Sequence, residues 1–90
     1  MTLELKGNID SNNALQIQEE LLSALNGQKE TQVVLDAAKL EYISSAGLRV
    51  LLSAQKSMTA RGGGMKVIHV SSVVMEVFEV TGFSDILTIE

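Results

Sequence analysis

Ninety residues with a formal charge of −4 fit one small domain, residues 1–90, with a modest core. The 7 basic residues are scattered among 11 acidic ones, which argues against nucleic-acid binding, and without cysteine there is no disulfide or thiolate chemistry. No apolar run approaches the ~20 residues that span a membrane, and no signal segment opens the chain, so the sequence predicts a cytoplasmic protein with no membrane partner.

The first elements in chain order are a strand and a helix. Thr2–Lys6 alternates polar and apolar residues, as a half-buried strand does. Gly7-Asn8 is turn-prone, and Asp10 or Ser11 can cap the helix that follows. Asn26-Gly27 ends that helix. Its apolar face consists of Ala14, Ile17, Leu21, Ala24 and Leu25.

The rest of the chain continues the alternation of strands and helices. The predicted elements are a strand at Gln32–Ala37, a helix at Ser45–Ala60, a strand at Met65–Val70, a short helix from Ser71-Ser72 to Gly82, and a strand at Ile86–Ile89. Glycines 62–64 separate the second helix from the strand after it. The order β-α-β-α-β-α-β with short links predicts an α/β domain with a mostly parallel four-stranded sheet and helices packed on it.

The junction between the second strand and the second helix reads Ser44-Ser45-Ala46-Gly47. Ser45 is a natural N-cap, because its hydroxyl oxygen can accept a hydrogen bond from a first-turn N–H. A serine at the positive end of a helix also suits an anion, or a phosphate carried on the serine itself. These residues predict a candidate site and leave its function open.

The segment from Asp36 to Leu52 resembles the signature of STAS-domain proteins, the anti-sigma factor antagonists. In that pattern an Asp ends a strand, and an acceptor Ser or Thr and a small residue precede Gly-Leu and an apolar helix. The matching positions here are Asp36, Ser45, Ala46 and Gly47-Leu48. Three flanking segments also fit: Leu5–Asp10, Gly62–Gly64 and Val80–Phe83.

The resemblance implies a regulatory protein without catalytic activity, cofactor or metal. It also implies that the unphosphorylated form binds an anti-sigma factor that is also a serine kinase, that phosphorylation of Ser45 disrupts that complex, and that a serine phosphatase restores it. Ser44 stands where many members carry Asp, and it is the second candidate acceptor. The implied partner-binding residues are Asp10, Ser11, Asn12, Asn13, Ser44, Ser45, Ala46, Gly47 and Leu48.

The start of the chain departs from the family pattern. STAS domains usually open with an extra strand, hairpinned to the strand predicted here at Thr2–Lys6. Its absence predicts an exposed edge strand, which invites pairing with another chain. We therefore expect that a homodimer could form through this N-terminal edge.

Two other functions compete with the switch. A STAS domain can be a permanent scaffold subunit without phosphorylation, and the missing Asp before Ser45 favours that alternative. A small hydrolase would need a triad such as Ser45, His69 and Asp36. The chain lacks the Gly-x-Ser-x-Gly elbow, and His69 is its only histidine, with no cysteine beside it for a metal site. We interpret Asp10 as a helix cap and Asp36 as the end of a strand.

Overall fold

The computed structural model describes residues 1–27 and 29–90. Its four strands form one parallel sheet in sequential order: β1 (Thr2–Ile9), β2 (Gln32–Ile43), β3 (Gly64–Ile68) and β4 (Thr88–Ile89). Three helices connect them: α1 (Ala14–Asn26), α2 (Ser45–Ala60) and α3 (Ser72–Thr81), with a 3-10 helix at Phe83–Asp85 before β4. The predicted fold, an α/β domain with a parallel four-stranded sheet, is confirmed.

β1 is longer than predicted and includes the segment expected to be a turn. Gly7 has a left-handed backbone (φ 63°), and the pairing with β2 shifts in register between Gly7 and Asn8. The strand then continues to Ile9, opposite Ile43 of β2. The predicted turn at Gly7-Asn8 is therefore wrong, because pairing with β2 absorbs the irregularity as a bulge-like shift. β1 lies at one edge of the described sheet. Dimerisation through this edge stays a prediction, and a monomeric mass from light scattering at high protein concentration would contradict it.

β2 runs to Ile43 and not to Ala37, because its second half still pairs with β1. β3 pairs with β2 only as far as Asp36, opposite Ile68. It ends at Ile68, earlier than predicted, and the next residue, His69, has a left-handed backbone (φ 57°), which is uncommon for a residue with a side chain. β4 is reduced to two residues, since Phe83–Asp85 forms the 3-10 helix just before it.

The core is aliphatic, apart from the fully buried Phe78. Helix α1 packs against α2, α2 packs on β2 and β3, and α3 packs against β2. Met58 and Met65 are buried and fill space between the aliphatic side chains of the core. Ile9 and Ile43, at 1% and 0% exposure, lie at the ends of β1 and β2, so the core extends to the point where α2 begins. None of the helices in the described ranges is long and apolar enough to cross a membrane.

Candidate functional site

The candidate site lies where β1 and β2 end side by side. Ile9 and Ile43 are paired in register, and the Ser44 amide donates to the Ile9 carbonyl at 2.9 Å. Because the strands are parallel, the segments that follow them leave the same edge of the sheet. The structure therefore brings together the two predicted partner-binding segments, Asp10–Asn13 and Ser44–Leu48.

Helix α2 is capped by Ser44 and not, as predicted, by Ser45. Ser44 has an extended backbone (φ −94°, ψ 177°), its Oγ accepts from the Gly47 amide at 3.4 Å, and its carbonyl accepts from the Leu48 amide at 2.9 Å. Ser45 is then the first helical residue and is exposed. In the described part of the chain, no side-chain hydrogen bond engages its hydroxyl. Because Ser44 caps α2, the hydroxyl of Ser45, the candidate phosphate acceptor, is free of the capping role and open to solvent.

Gly47 and Leu48 anchor the start of α2 against the sheet. A Cβ on Gly47 would lie 2.6 Å from Ile43 Cγ1 and 2.9 Å from the Ile9 carbonyl oxygen, so only glycine fits at this contact. Leu48 is 2% exposed and belongs to the core. Of the predicted residues on this helix, Ser45 is therefore the one that presents most of its side chain, with Ala46 partly exposed beside it.

The loop before α1 is held by its own side chains. Asn13 Oδ1 accepts from the Asp10 amide at 2.9 Å, and Asn13 Nδ2 donates to the Asn8 carbonyl at 2.8 Å. Asp10 Oδ1 accepts from the Asn12 amide at 2.9 Å. The predicted capping role of Asp10 or Ser11 is wrong, because the N-cap position belongs to Asn13, which makes no side-chain cap bond. The exposed residues of this loop, Ser11 and Asn12, face solvent next to the start of α2.

Asp36 and His69 form a side-chain hydrogen bond with each other, and this pair lies away from Ser45. His69 Nδ1 lies 3.0 Å from Asp36 Oδ1, and the same carboxylate oxygen accepts from the Ala38 amide at 2.9 Å. Asp36 marks the end of the β2–β3 pairing, whereas Ser45 follows the far end of β2. The described contacts of Ser45 include neither residue, so the imagined hydrolase triad is not assembled. Within the described ranges, no group of three His, Cys, Asp or Glu side chains could hold a metal ion.

The Asp36 carboxylate should make stability fall in acid. The Ala38 N–H, the hydrogen bond with His69 and the charge of Lys39 lower its pKa, and they outweigh partial desolvation. A lowered pKa stabilises the folded state fully above the ordinary aspartate value of about 4, and this contribution is lost as pH falls below it. We expect Asp36→Asn to flatten the acid limb of urea-unfolding midpoints measured from pH 6 to pH 2. Asp85→Asn removes the same charge at an exposed aspartate and is the control against which the acid limb of Asp36→Asn is compared.

Sequence reasoning missed an apolar groove beside the site. It encloses about 340 Å³ between Tyr42 of β2 and one side of α3. Val73, Val77 and Val80 line it, and Val80 is 80% exposed. Their spacing of four and three residues places them on one helix face, apart from the buried Val74 and Phe78. That second apolar stripe is visible in the sequence, and it is the signal that could have predicted the groove.

The comparison with family models identifies the domain. The model described as "Mlab, STAS domain" matches residues 1–88, nearly the whole chain. The chain belongs to the STAS-domain family. The match includes both loops of the candidate site.

Relatives of this STAS domain are regulatory proteins. BtrV of Bordetella bronchiseptica, provisionally named an anti-sigma factor antagonist, is 40% identical over 85 residues, which cover 94% of this chain and 72% of BtrV. The structure of the anti-sigma factor antagonist SpoIIAA in its unphosphorylated form has a TM-score of 0.81 at 20% identity and covers 99% of this chain and 77% of SpoIIAA. The phosphorylated form of SpoIIAA, from Bacillus, has a TM-score of 0.70 at 19% identity and covers 99% and 80% of the two chains. At these identities the two structures establish the fold.

Proposed function

We propose that this STAS domain is an anti-sigma factor antagonist in a bacterial partner-switching pathway. Unmodified, it binds an anti-sigma factor that is also a serine kinase, and phosphorylation of Ser45 by that kinase disrupts the complex. A serine phosphatase restores the binding form. The domain itself has no catalytic activity and takes no cofactor, since ATP belongs to the kinase. We place this exchange in the cytoplasm, where sigma factors act.

The observation that carries the proposal is the exposed Ser45 hydroxyl at the first position of α2. A kinase needs a hydroxyl that can enter its active site, and among the residues that the structure describes no side-chain hydrogen bond engages this one. The relatives named as antagonists support the regulatory role, and SpoIIAA is known in phosphorylated and unphosphorylated forms. Together they favour a modification switch at this serine.

The geometry favours Ser45 over Ser44 as the acceptor. Ser44 is partly buried, and its Oγ already accepts a hydrogen bond from the Gly47 amide. Modifying Ser44 would remove the N-cap of α2, a loss that typically costs about 0.5–2 kcal/mol. Ser45 carries neither penalty, so a phosphate can be added there without opening the helix.

The consequences of phosphorylation are electrostatic. A phosphate adds about −1.5 to −2 charges and three acceptor oxygens. The unpaired N–H groups and positive dipole of the first turn of α2 tolerate that charge, so the fold is retained. A partner seated over Ser45 and the adjacent Ser11-Asn12 loop would instead have to desolvate the phosphate. The same modification is therefore mild for the domain and severe for the complex.

The deciding experiment is intact-mass and phosphosite analysis of the protein isolated from its own cells, at rest and under stress. We expect a phosphate on Ser45 whose occupancy changes with condition and disappears in Ser45→Ala. Ser44→Ala is the matched control and should keep the modification, provided that circular dichroism confirms its fold. An unmodified Ser45 in every condition would contradict the switch and support the scaffold alternative.

A further inference from the structure

Arg49 lies one helical turn after Ser45 on the same face of α2. Both residues are exposed and both lie within the regular helix Ser45–Ala60. Residues four apart on a helix are neighbours, and helical side chains lean toward the N-terminus. The long side chain of Arg49 can therefore reach back over the turn that carries Ser45.

The Arg49 guanidinium has no ionic partner among the residues that the structure describes. Three lysines are paired with glutamates, and Arg61 Nη2 donates to Asn26 at 3.0 Å. Arg49 takes part in none of the described side-chain hydrogen bonds or ion pairs. Its five N–H donors are thus available, and no neighbouring carboxylate has to be displaced before they bind an anion.

We propose that Arg49 is the intramolecular phosphate-binding residue of the switch: once Ser45 is phosphorylated, the guanidinium pairs with the phosphate on its own helix. The inference rests on the proposed function, because it takes Ser45 as the acceptor. It gives Arg49 a positioning role next to Ser45. Pairing with Arg49 favours the dianionic form of the phosphate and its position over the first turn of α2.

Two features of the pair favour this contact. An acidic group placed four residues before a basic one is the better order on a helix, since it agrees with the helix dipole. A guanidinium also matches phosphate with two parallel N–H donors, whereas a lysine offers a single point charge. The pair is exposed, so we expect a modest effect that salt screens.

The test places phosphoserine at position 45 by genetic-code expansion, so that no kinase is needed. The readout is the pH midpoint of the ³¹P resonance for this protein and for its R49Q, R49K and K56Q variants. Because Arg49 stabilises the dianion, R49Q should raise the midpoint by about 0.3 pH unit, a twofold change in proton affinity. R49K should give a smaller rise, and 1 M salt should reduce the difference between R49Q and the parent.

K56Q is the matched control, because Lys56 is exposed on the same helix and its loss changes the net charge equally. Equal midpoints for R49Q and K56Q would overturn the proposal, provided that both variants give folded amide spectra. The titration does not depend on whether Ser45 is modified in cells. A failed phosphosite analysis would therefore count against the proposed function alone, and equal midpoints against the role of Arg49 alone.

Discussion

Replacing Gly47 with valine should lower the free energy of unfolding by about 3 kcal/mol, at the upper end of the usual cost of overpacking. A Cβ at residue 47 would lie 2.6 Å from Ile43 Cγ1, 2.9 Å from Ile9 Cγ2 and 2.9 Å from the Ile9 carbonyl oxygen. That carbonyl oxygen accepts a hydrogen bond from the Ser44 amide. It therefore cannot move away from residue 47 without losing the hydrogen bond that joins β1 to the start of α2. Urea unfolding followed by circular dichroism would measure the loss.

Gly47→Ala tests the cause through the sign of the change. Helix propensity alone predicts a gain of about 1 kcal/mol, because glycine is a poor residue inside a helix. The close contact with Ile9 predicts a net loss, since even one methyl group meets backbone there. Ser53→Ala, elsewhere on α2, is the control and should change stability by less than ~0.5 kcal/mol. A more stable Gly47→Ala variant would contradict the packing argument.

Phosphoserine at position 45 should weaken binding to the anti-sigma factor kinase more than a hundredfold. That factor corresponds to a loss of ~3 kcal/mol, which the cost of desolvating a doubly charged group at an interface can supply. The partner would be isolated by pull-down with Ser45→Ala, which cannot be phosphorylated at that position. Isothermal titration calorimetry would then compare the unmodified and phosphoserine proteins.

Two controls separate a local effect from a general one. Phosphoserine at Ser23, an exposed residue of α1, adds the same charge away from the site and should leave affinity within about twofold. Ser45→Ala should bind as tightly as the unmodified protein, because the hydroxyl makes no described side-chain hydrogen bond. Tight binding by the phosphoserine 45 protein would contradict the switch, whatever its phosphorylation in cells.

The sequence predicted the fold well because hydrophobic period and turn residues act locally. Consecutive apolar residues at Val33–Leu35 and the helical spacing of Leu48, Leu51 and Met58 are visible without the structure. The ends of elements depend on partners in space. Gly7-Asn8 has the composition of a turn, yet pairing with β2 carries the strand through it.

The candidate site was predictable in position and less so in detail. Once β1 and β2 are parallel neighbours, the loops after Ile9 and Ile43 must start together. Which of two adjacent serines caps α2 depends on where β2 ends, and the hydrogen bond from the Ser44 amide to Ile9 sets that point. The groove at Tyr42 was missed for a similar reason, since an apolar pattern does not say which stripe of α3 meets the sheet.

The pairing between neighbouring strands becomes shorter along the chain, so local unfolding should begin at the C-terminal end of the sheet. β1 pairs with the Val34–Ile43 stretch of β2, whereas β4 is joined to β3 at only two residue pairs. Local unfolding should begin where few hydrogen bonds hold a strand, so amide protons of β4 are expected to exchange with solvent long before that of Ser44. Fluctuations of the C-terminal end can then occur while the surface around Ser45 stays folded.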